Sequence, residues 1–116
     1  MVAEGELGFA RVEVAGGETR RFEFAPEQLG LARASLDQVK GGDADFNARA
    51  LERLLEGNGN PAYRDIVILN SAAALTVGGK AGSIEEGARL AEDLLRCGDA
   101  RAKLEELRTT TNRFAA

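Results

Sequence analysis

The segment from Pro61 to Val77 constrains the fold of this chain most, because its residues are apolar on nearly every side of a helix. Pro61 suits the first position of such a helix, and Gly78-Gly79 suits its end. The apolar run is interrupted by Asn70 and is shorter than the roughly 20 residues that a membrane-spanning helix needs. We therefore expect a helix over 61–77 that forms the buried centre of a globular unit, with no membrane segment.

Three further helices are predicted from apolar residues at helical spacing and from residues that begin and end helices. Asp43 is an expected N-cap, and Ser83 and Glu86 fit a capping box in which each side chain bonds a free backbone amide. Gly98 is expected to end the third helix, and Asp99 to cap the fourth. These helices are predicted over about 43–56, 83–97 and 99–110.

Two segments in which polar and apolar residues alternate flank Gly16-Gly17, and we predict that they form a β-hairpin. A two-residue loop at these glycines would place Val12 opposite Arg21 and would mix apolar and charged residues on each face. A three-residue loop that includes Glu18 places Val12 opposite Phe22 and keeps apolar pairs together. The side-chain pattern therefore favours the three-residue loop.

The predicted fold class is an α/β fragment, α+β as it stands, with an N-terminal β-hairpin followed by about four packed helices. The hairpin covers about 8–25, and Pro26 to Gly30 is predicted to form one helical turn closed by glycine. A chain of 116 residues with 44% apolar content suffices for one core, so 1–116 is treated as a single unit. An isolated hairpin is marginally stable in water, which suggests that it completes a larger sheet whose other part is missing.

The residue inventory excludes several classes of site. The chain has no histidine, which rules out a Ser-His-Asp triad, a Cys-His dyad and a histidine zinc site. Cys97 is the only cysteine, and we expect a buried or half-buried packing residue there. The net charge of −4 with dispersed cations argues against nucleic-acid binding. The start at Met1 lacks the pattern of a signal peptide, so a cytoplasmic protein is expected.

The glycine-rich segment Gly41-Gly42-Asp43 superficially matches a phosphate-binding turn, but no strand pattern leads into it. No lysine, serine or threonine follows within a turn to hold a phosphate or a metal. Asp43 and Asp45 project from different sides of a helix start, which is poor geometry for one metal ion. Capping and the helix dipole explain these residues better.

The other polar candidates also have structural explanations. We expect Asn70 to make a hydrogen bond to the backbone of a neighbouring helix or loop, rather than to a ligand. Lys80 and Ser83 flank a glycine-rich turn that could bind phosphate, but Ser83 is better explained as the cap of the next helix. The remaining candidates are expected on a solvated face of the hairpin: Arg11, Arg20 and Arg21. We therefore assign no catalytic, substrate-binding or metal residue to this chain.

Four segments of the chain form a recognisable series: Val39-Lys-Gly-Gly-Asp-Ala-Asp-Phe-Asn-Ala48, Tyr63-Arg-Asp-Ile-Val-Ile-Leu-Asn-Ser-Ala-Ala-Ala-Leu75, Gly79-Lys-Ala-Gly-Ser-Ile-Glu-Glu-Gly87 and Arg101-Ala-Lys-Leu-Glu-Glu-Leu107. Together they resemble the C-terminal part of anthranilate phosphoribosyltransferases, and the hairpin and the turn after it match what precedes these segments in that family. The resemblance covers nearly all of the chain, and each segment is a packing signature rather than a catalytic motif.

The resemblance implies an enzyme family that transfers a phosphoribosyl group from phosphoribosyl diphosphate to anthranilate in tryptophan biosynthesis, with magnesium. The Gly-Thr-Gly-Gly-Asp diphosphate loop of the family has no counterpart, since Lys40 precedes Gly41-Gly42-Asp43. Its magnesium-binding Asp-Glu pair would fall at or before Met1 and Val2, and the spacing of Glu4 and Glu6 does not match it. No cofactor is therefore assigned to this chain, which is expected to be inactive alone.

The preferred interpretation is a segment that gives structural support to a site located upstream. The alternative is a freestanding, non-catalytic interaction or oligomerisation module. Both interpretations predict exposed apolar surface that packs against a partner, either the remainder of the enzyme or a second copy.

Overall fold

The computed structural model describes residues 9–114, in which a β-hairpin precedes four α-helices. This order of elements is the predicted one. The turn after the hairpin, Pro26–Leu29, is a 3₁₀ turn closed by Gly30 in the left-handed conformation, and a second 3₁₀ turn covers Leu36–Val39. The strands and helices are β1 Phe9–Ala15, β2 Glu18–Phe24, α1 Ala44–Leu55, α2 Pro61–Val77, α3 Ile84–Cys97 and α4 Asp99–Asn112.

Helix α2 lies at the centre of the core, as its apolar sequence predicts. Ile68 and Ala72 have no exposed surface, and Leu69 is only 2% exposed. Residues before α1 and on α3 complete the buried cluster: Leu31, Ala88 and Ala91. The burial is one-sided, however, because Val77 at the end of the helix is 81% exposed.

The contact between α2 and α3 depends on small residues. Gly87 of α3 faces the backbone of α2, and a Cβ added there would lie 2.6 Å from the carbonyl oxygen of Ala72. The Thr76 hydroxyl lies 2.8 Å from the same carbonyl oxygen and 3.1 Å from that of Ser83, the N-cap of α3. The two helices therefore approach each other so closely that there is no room for a side chain at position 87.

The helix caps follow the predicted chemistry, with one correction. The side chains of Asp43 and Ser83 accept hydrogen bonds from backbone amides in the first turns of α1 and α3, and the Glu86 carboxylate accepts from the Gly82 amide. Gly98 ends α3 with φ of 90°. The prediction that Asp99 caps α4 was wrong, because Gly98 is also the N-cap of α4 and Asp99 is its first helical residue.

The hairpin register corrects the predicted loop length. Val12 pairs with Arg21, which is the register of a two-residue loop at Gly16-Gly17 rather than of the preferred three-residue loop. Gly16 and Gly17 have φ of 60° and 80°, and positive φ at both central residues defines the turn that matches the twist of a two-residue hairpin. Turn geometry therefore determines the register here, and the alternation of side chains does not.

Two ion pairs join helix α4 to the end of α1. Arg108 donates to the carboxylate of Glu52 on α1, and Arg101 lies 3.7 Å from that of Glu56. The hydrogen bond to Glu52 is the main reason that the pKa of Arg108 is raised above its ordinary value. Exposed ion pairs of this kind stabilise a fold only weakly, so α4 is held less firmly than α2 and α3.

Replacement of Gly87 by alanine tests the contact between α2 and α3. Alanine in a helix interior normally stabilises a protein by about 1 kcal/mol relative to glycine. At Gly87 the added methyl group must displace the backbone of Ala72, so we expect Gly87→Ala to reduce the free energy of unfolding by about 1–3 kcal/mol. Urea unfolding followed by circular dichroism measures the change.

The matched control is Gly82→Ala, where the added Cβ would meet only the flexible carboxylate of Glu86, at 3.3 Å. We expect this control to change stability by less than about 0.5 kcal/mol. A Gly87→Ala protein as stable as the unsubstituted chain would contradict the close approach of the two helices.

Candidate functional site

One concave region lies where the end of α1 and the start of α2 meet the junction of α3 and α4. Its volume is about 630 Å³. Its arginines are paired with carboxylates: Arg64 lies 3.6 Å from Glu92, and Arg101 pairs with Glu56. The charges of this cleft are therefore largely compensated, and its wall presents no concentrated charge to a ligand.

The smaller region, which we call the loop cavity, lies between the loop 38–41, α1 and the start of α2. Its volume is about 280 Å³. Apolar side chains and two cations form much of its wall: Val39, Phe46, Ala50, Tyr63, Lys40 and Arg53. These residues lie between positions 39 and 63, on the loop, on α1 and in the first turn of α2, and no sequence pattern singles them out as one site.

Two asparagines fix the loop that forms one wall of this cavity. The Asn47 side chain accepts a hydrogen bond from the Gly42 amide at 2.9 Å and donates one to the Gly42 carbonyl at 3.0 Å. The Asn60 side chain caps α2 through the Ala62 amide and donates to the Gln38 carbonyl at 2.6 Å. The loop is therefore held to the first turns of both helices.

The glycine-rich segment has a structural role in this arrangement. A Cβ at Gly41 would lie 2.8 Å from the side-chain oxygen of Asn47, which explains why a residue without a side chain occurs there. Asp43 accepts a hydrogen bond from the Phe46 amide at 2.8 Å, so the predicted N-cap is confirmed. Asp45 lies exposed in the first turn of α1, where its negative charge interacts favourably with the helix dipole.

Two predicted side-chain environments were wrong. Asn70 is exposed and donates to the Ile66 carbonyl of its own helix at 2.9 Å, rather than to a neighbouring element, because the core covers only one side of α2. Cys97 is exposed rather than buried, and its thiol lies 3.7 Å from the Leu94 carbonyl. Ser83 acts as the predicted cap, and Lys80 lies exposed in the preceding turn.

Several predicted positions lie outside the described residues. They include the acids Glu4 and Glu6, together with Met1 and Val2, and the side chains of the hairpin arginines. Within residues 9–114, no three acidic or cysteine side chains are grouped as metal ligands would be. In the same range, no helix combines the length and hydropathy required to cross a membrane.

Comparison with known proteins gives one family and a consistent set of relatives. Residues 6–101 match the model of the glycosyl transferase family, a/b domain. The chain is 50% identical over 103 residues to an anthranilate phosphoribosyltransferase of Parvibaculum lavamentivorans, covering 89% of this chain and 30% of that protein. The proteins of the same name from Rubrobacter xylanophilus and Paramagnetospirillum magneticum are each 48% identical, covering 89% and 87% of this chain and 30% and 29% of their own lengths.

The chain therefore spans about 30% of the length of these curated relatives, and the matched region is their C-terminal part. This agrees with the resemblance found in the sequence. The matched family region includes the hairpin, α1, α2 and α3 as well as the loop cavity.

Substitution of Asp43 distinguishes a capping residue from a ligand-binding acid. Asp43→Ala removes the acceptor for the Phe46 amide and should reduce the free energy of unfolding by about 1 kcal/mol. Asp43→Ser keeps a capping oxygen without the charge and should retain most of the stability. Thermal unfolding of the three proteins gives the comparison.

The control is Asp45→Ala, which removes an equal charge from the same turn without removing a cap. We expect it to cost only about 0.3–1 kcal/mol through the helix dipole. If Asp43→Ser were as unstable as Asp43→Ala, the carboxylate charge rather than the capping bond would be the important property.

Proposed function

Since this chain belongs to the glycosyl transferase family, a/b domain, we propose that it is the C-terminal part of an anthranilate phosphoribosyltransferase. In this proposal the complete enzyme transfers a phosphoribosyl group from phosphoribosyl diphosphate to anthranilate. The present segment supports a site that is built by the remainder of the protein.

The exposed apolar side chains carry this proposal. Large hydrophobic residues on three α-helices, in the second 3₁₀ turn and after the end of α4 are more than half exposed, although they belong to types that normally contribute to cores. These residues are Leu36 at 70%, Phe46 at 54%, Val77 at 81%, Leu107 at 60% and Phe114 at 81%.

The two-stranded sheet supports the same proposal. Among the described residues, β1 and β2 form a sheet of two strands. A sheet of this size is marginally stable in water and is expected where a larger α/β domain supplies further cover.

The described residues do not suit the magnesium ion that the family implies. Asp43 is engaged in capping α1, and Asp45 is not grouped with two further ligands. Glu52 and Glu56 pair with arginines of α4. No chemical step is therefore assigned to this segment, and its proposed contribution is structural.

A chimeric enzyme tests the supporting role. The C-terminal part of the Parvibaculum lavamentivorans relative that matches this chain is replaced by the chain itself. Because half of the matched residues are identical, we expect the chimera to fold and to transfer phosphoribosyl groups to anthranilate. Steady-state kinetics and thermal unfolding are measured on the same preparation.

Substitutions in the chimera separate support from substrate binding. Gly87→Ala should lower the melting temperature and shorten the lifetime of the activity at elevated temperature, while KM for both substrates stays unchanged in the folded fraction. Gly82→Ala should change neither property. A stable chimera without turnover, or a Gly87→Ala variant with altered KM and unchanged stability, would contradict the proposal.

The isolated chain provides the complementary measurement. We expect no phosphoribosyl transfer from it, together with self-association or binding of a hydrophobic dye by its exposed apolar surface. Turnover by the purified chain would refute the proposed dependence on an upstream site. A monodisperse chain that melts cooperatively and binds no dye would favour a freestanding interaction module.

A further inference from the structure

We propose that Asn58 is a site of covalent self-modification, at which the backbone nitrogen of Gly59 displaces the side-chain amide and the residue becomes aspartate or isoaspartate. The proposal is independent of the proposed enzymatic function, because it rests only on the loop between α1 and α2. Water and hydroxide are the only co-reactants that it needs.

The reaction proceeds through a cyclic intermediate. The Gly59 nitrogen loses its proton to hydroxide and attacks Cγ of Asn58, so that an N–Cγ bond forms, the Cγ–Nδ2 bond breaks and ammonia leaves. Water then opens the resulting succinimide. Attack of water at Cγ gives aspartate, whereas attack at the main-chain carbonyl carbon gives isoaspartate, in which the backbone runs through the side chain.

The glycine that follows Asn58 favours this attack. Gly59 has no Cβ to shield its backbone nitrogen, and its φ of 142° is a conformation that residues with a side chain rarely adopt. Both residues are exposed, so water and hydroxide can reach them. Asn58-Gly59 is also the only Asn-Gly pair in the sequence, which makes the site specific.

The hydrogen bonds of the loop leave the reacting groups free. The Asn58 amide donates to the Arg53 carbonyl at 2.9 Å and the Gly57 amide donates to the Leu54 carbonyl at 3.1 Å, the Schellman arrangement at a helix end. Beyond this anchor, and among the described residues, neither the Asn58 side chain nor the Gly59 amide makes a hydrogen bond. The side chain can therefore rotate towards a nitrogen that is engaged with no acceptor.

Two other asparagines have side chains that are held in place. Asn47 bonds both the amide and the carbonyl of Gly42, and Asn70 donates to the Ile66 carbonyl. Both also lie within helices, α1 and α2, where backbone amides take part in helical hydrogen bonds. Attack by the following nitrogen would require the helix to open first.

The remaining two asparagines are protected by the residue that follows. Asn60 precedes Pro61, whose nitrogen carries no hydrogen and cannot form the anionic nucleophile. Asn112 precedes Arg113, whose amide donates to the Thr109 carbonyl at 3.2 Å. Asn58 is therefore the one asparagine of this chain that combines a free side chain with a free following amide.

Conversion changes the loop in two ways. A carboxylate at position 58 adds a negative charge beyond the C-terminal end of α1, which is the unfavourable end of the helix dipole for an anion. Isoaspartate also lengthens the backbone just before Asn60, which caps α2 and bonds the Gln38 carbonyl. The modification therefore acts on the segment that joins α1 to α2.

Peptide mass mapping of the full chain tests the site. The chain is incubated in mildly alkaline buffer under native conditions, with its helix content checked by circular dichroism, and is digested after increasing times. The tryptic peptide 54–64 should gain about 1 Da, the difference between an amide and an acid, and fragmentation should place the gain at position 58 rather than 60. Asn47, Asn70 and Asn112 should convert at least about tenfold more slowly.

A synthetic peptide of residues 54–64 gives the rate without the fold. Because no hydrogen bond must break before the attack, we expect the rate in the native chain to lie within about tenfold of the rate in the peptide. A native rate below that limit, in a chain that remains helical, would show that the fold protects Asn58 and would overturn the proposal.

Asn58→Gln is the matched variant, since it keeps an exposed amide but would have to form a larger imide ring. Hydroxylamine, which cleaves succinimides, should cut the unsubstituted chain between positions 58 and 59 and leave the variant intact. After incubation, an isoaspartyl methyltransferase with S-adenosylmethionine should methylate the unsubstituted chain and not the variant. A mass gain at position 58 without cleavage or methylation would indicate direct hydrolysis of the amide and would refute the role of Gly59.

Discussion

The close approach of Gly87 to the Ala72 carbonyl is the contact on which the rest of this structure depends. It brings α3 against the one buried side of α2, where Ile68, Leu69 and Ala72 are almost completely removed from water. The Thr76 hydroxyl lies close to the carbonyl oxygens of both helices at the end of this contact. The periphery is held differently, since α4 reaches α1 through exposed ion pairs that contribute little stability. The segment therefore combines a firm two-helix centre with a fourth helix that contributes no buried residue and is held to α1 by exposed ion pairs.

The architecture could be predicted where local chemistry and burial favour the same structure. The apolar sequence of α2, the caps Asp43 and Ser83, and the glycine at position 98 all correctly indicated helices and their ends. The hairpin register was predicted incorrectly from cross-strand pairing, because the two-residue turn that Gly16-Gly17 form with positive φ angles determines the register. The cap of α4 was misassigned because one glycine both ends α3 and begins the next helix, which leaves no residue between them.

The environments of individual polar residues were harder to predict than the elements. A hydrophobic pattern shows that a helix is buried, but it does not show how much of its circumference the neighbours cover, so Asn70 was expected to contact a neighbouring element. The loop cavity gave no sequence signal, since Lys40, Arg53 and Tyr63 meet only after α1 and α2 are positioned. The asparagines that hold the loop, Asn47 and Asn60, are recognisable as structural residues only from their hydrogen bonds.

Hydrogen exchange most directly tests the central proposal, that α2 and α3 form a stable pair and that the elements around them are covered by a further part of the protein. The isolated chain is compared with the same chain mixed with the upstream part of the Parvibaculum lavamentivorans relative. The account predicts that amides of α2 and α3 are protected in both samples, whereas the hairpin and α4 gain protection only in the mixture. Equal protection of the hairpin and α4 in the two samples, with turnover restored in the mixture, would contradict it.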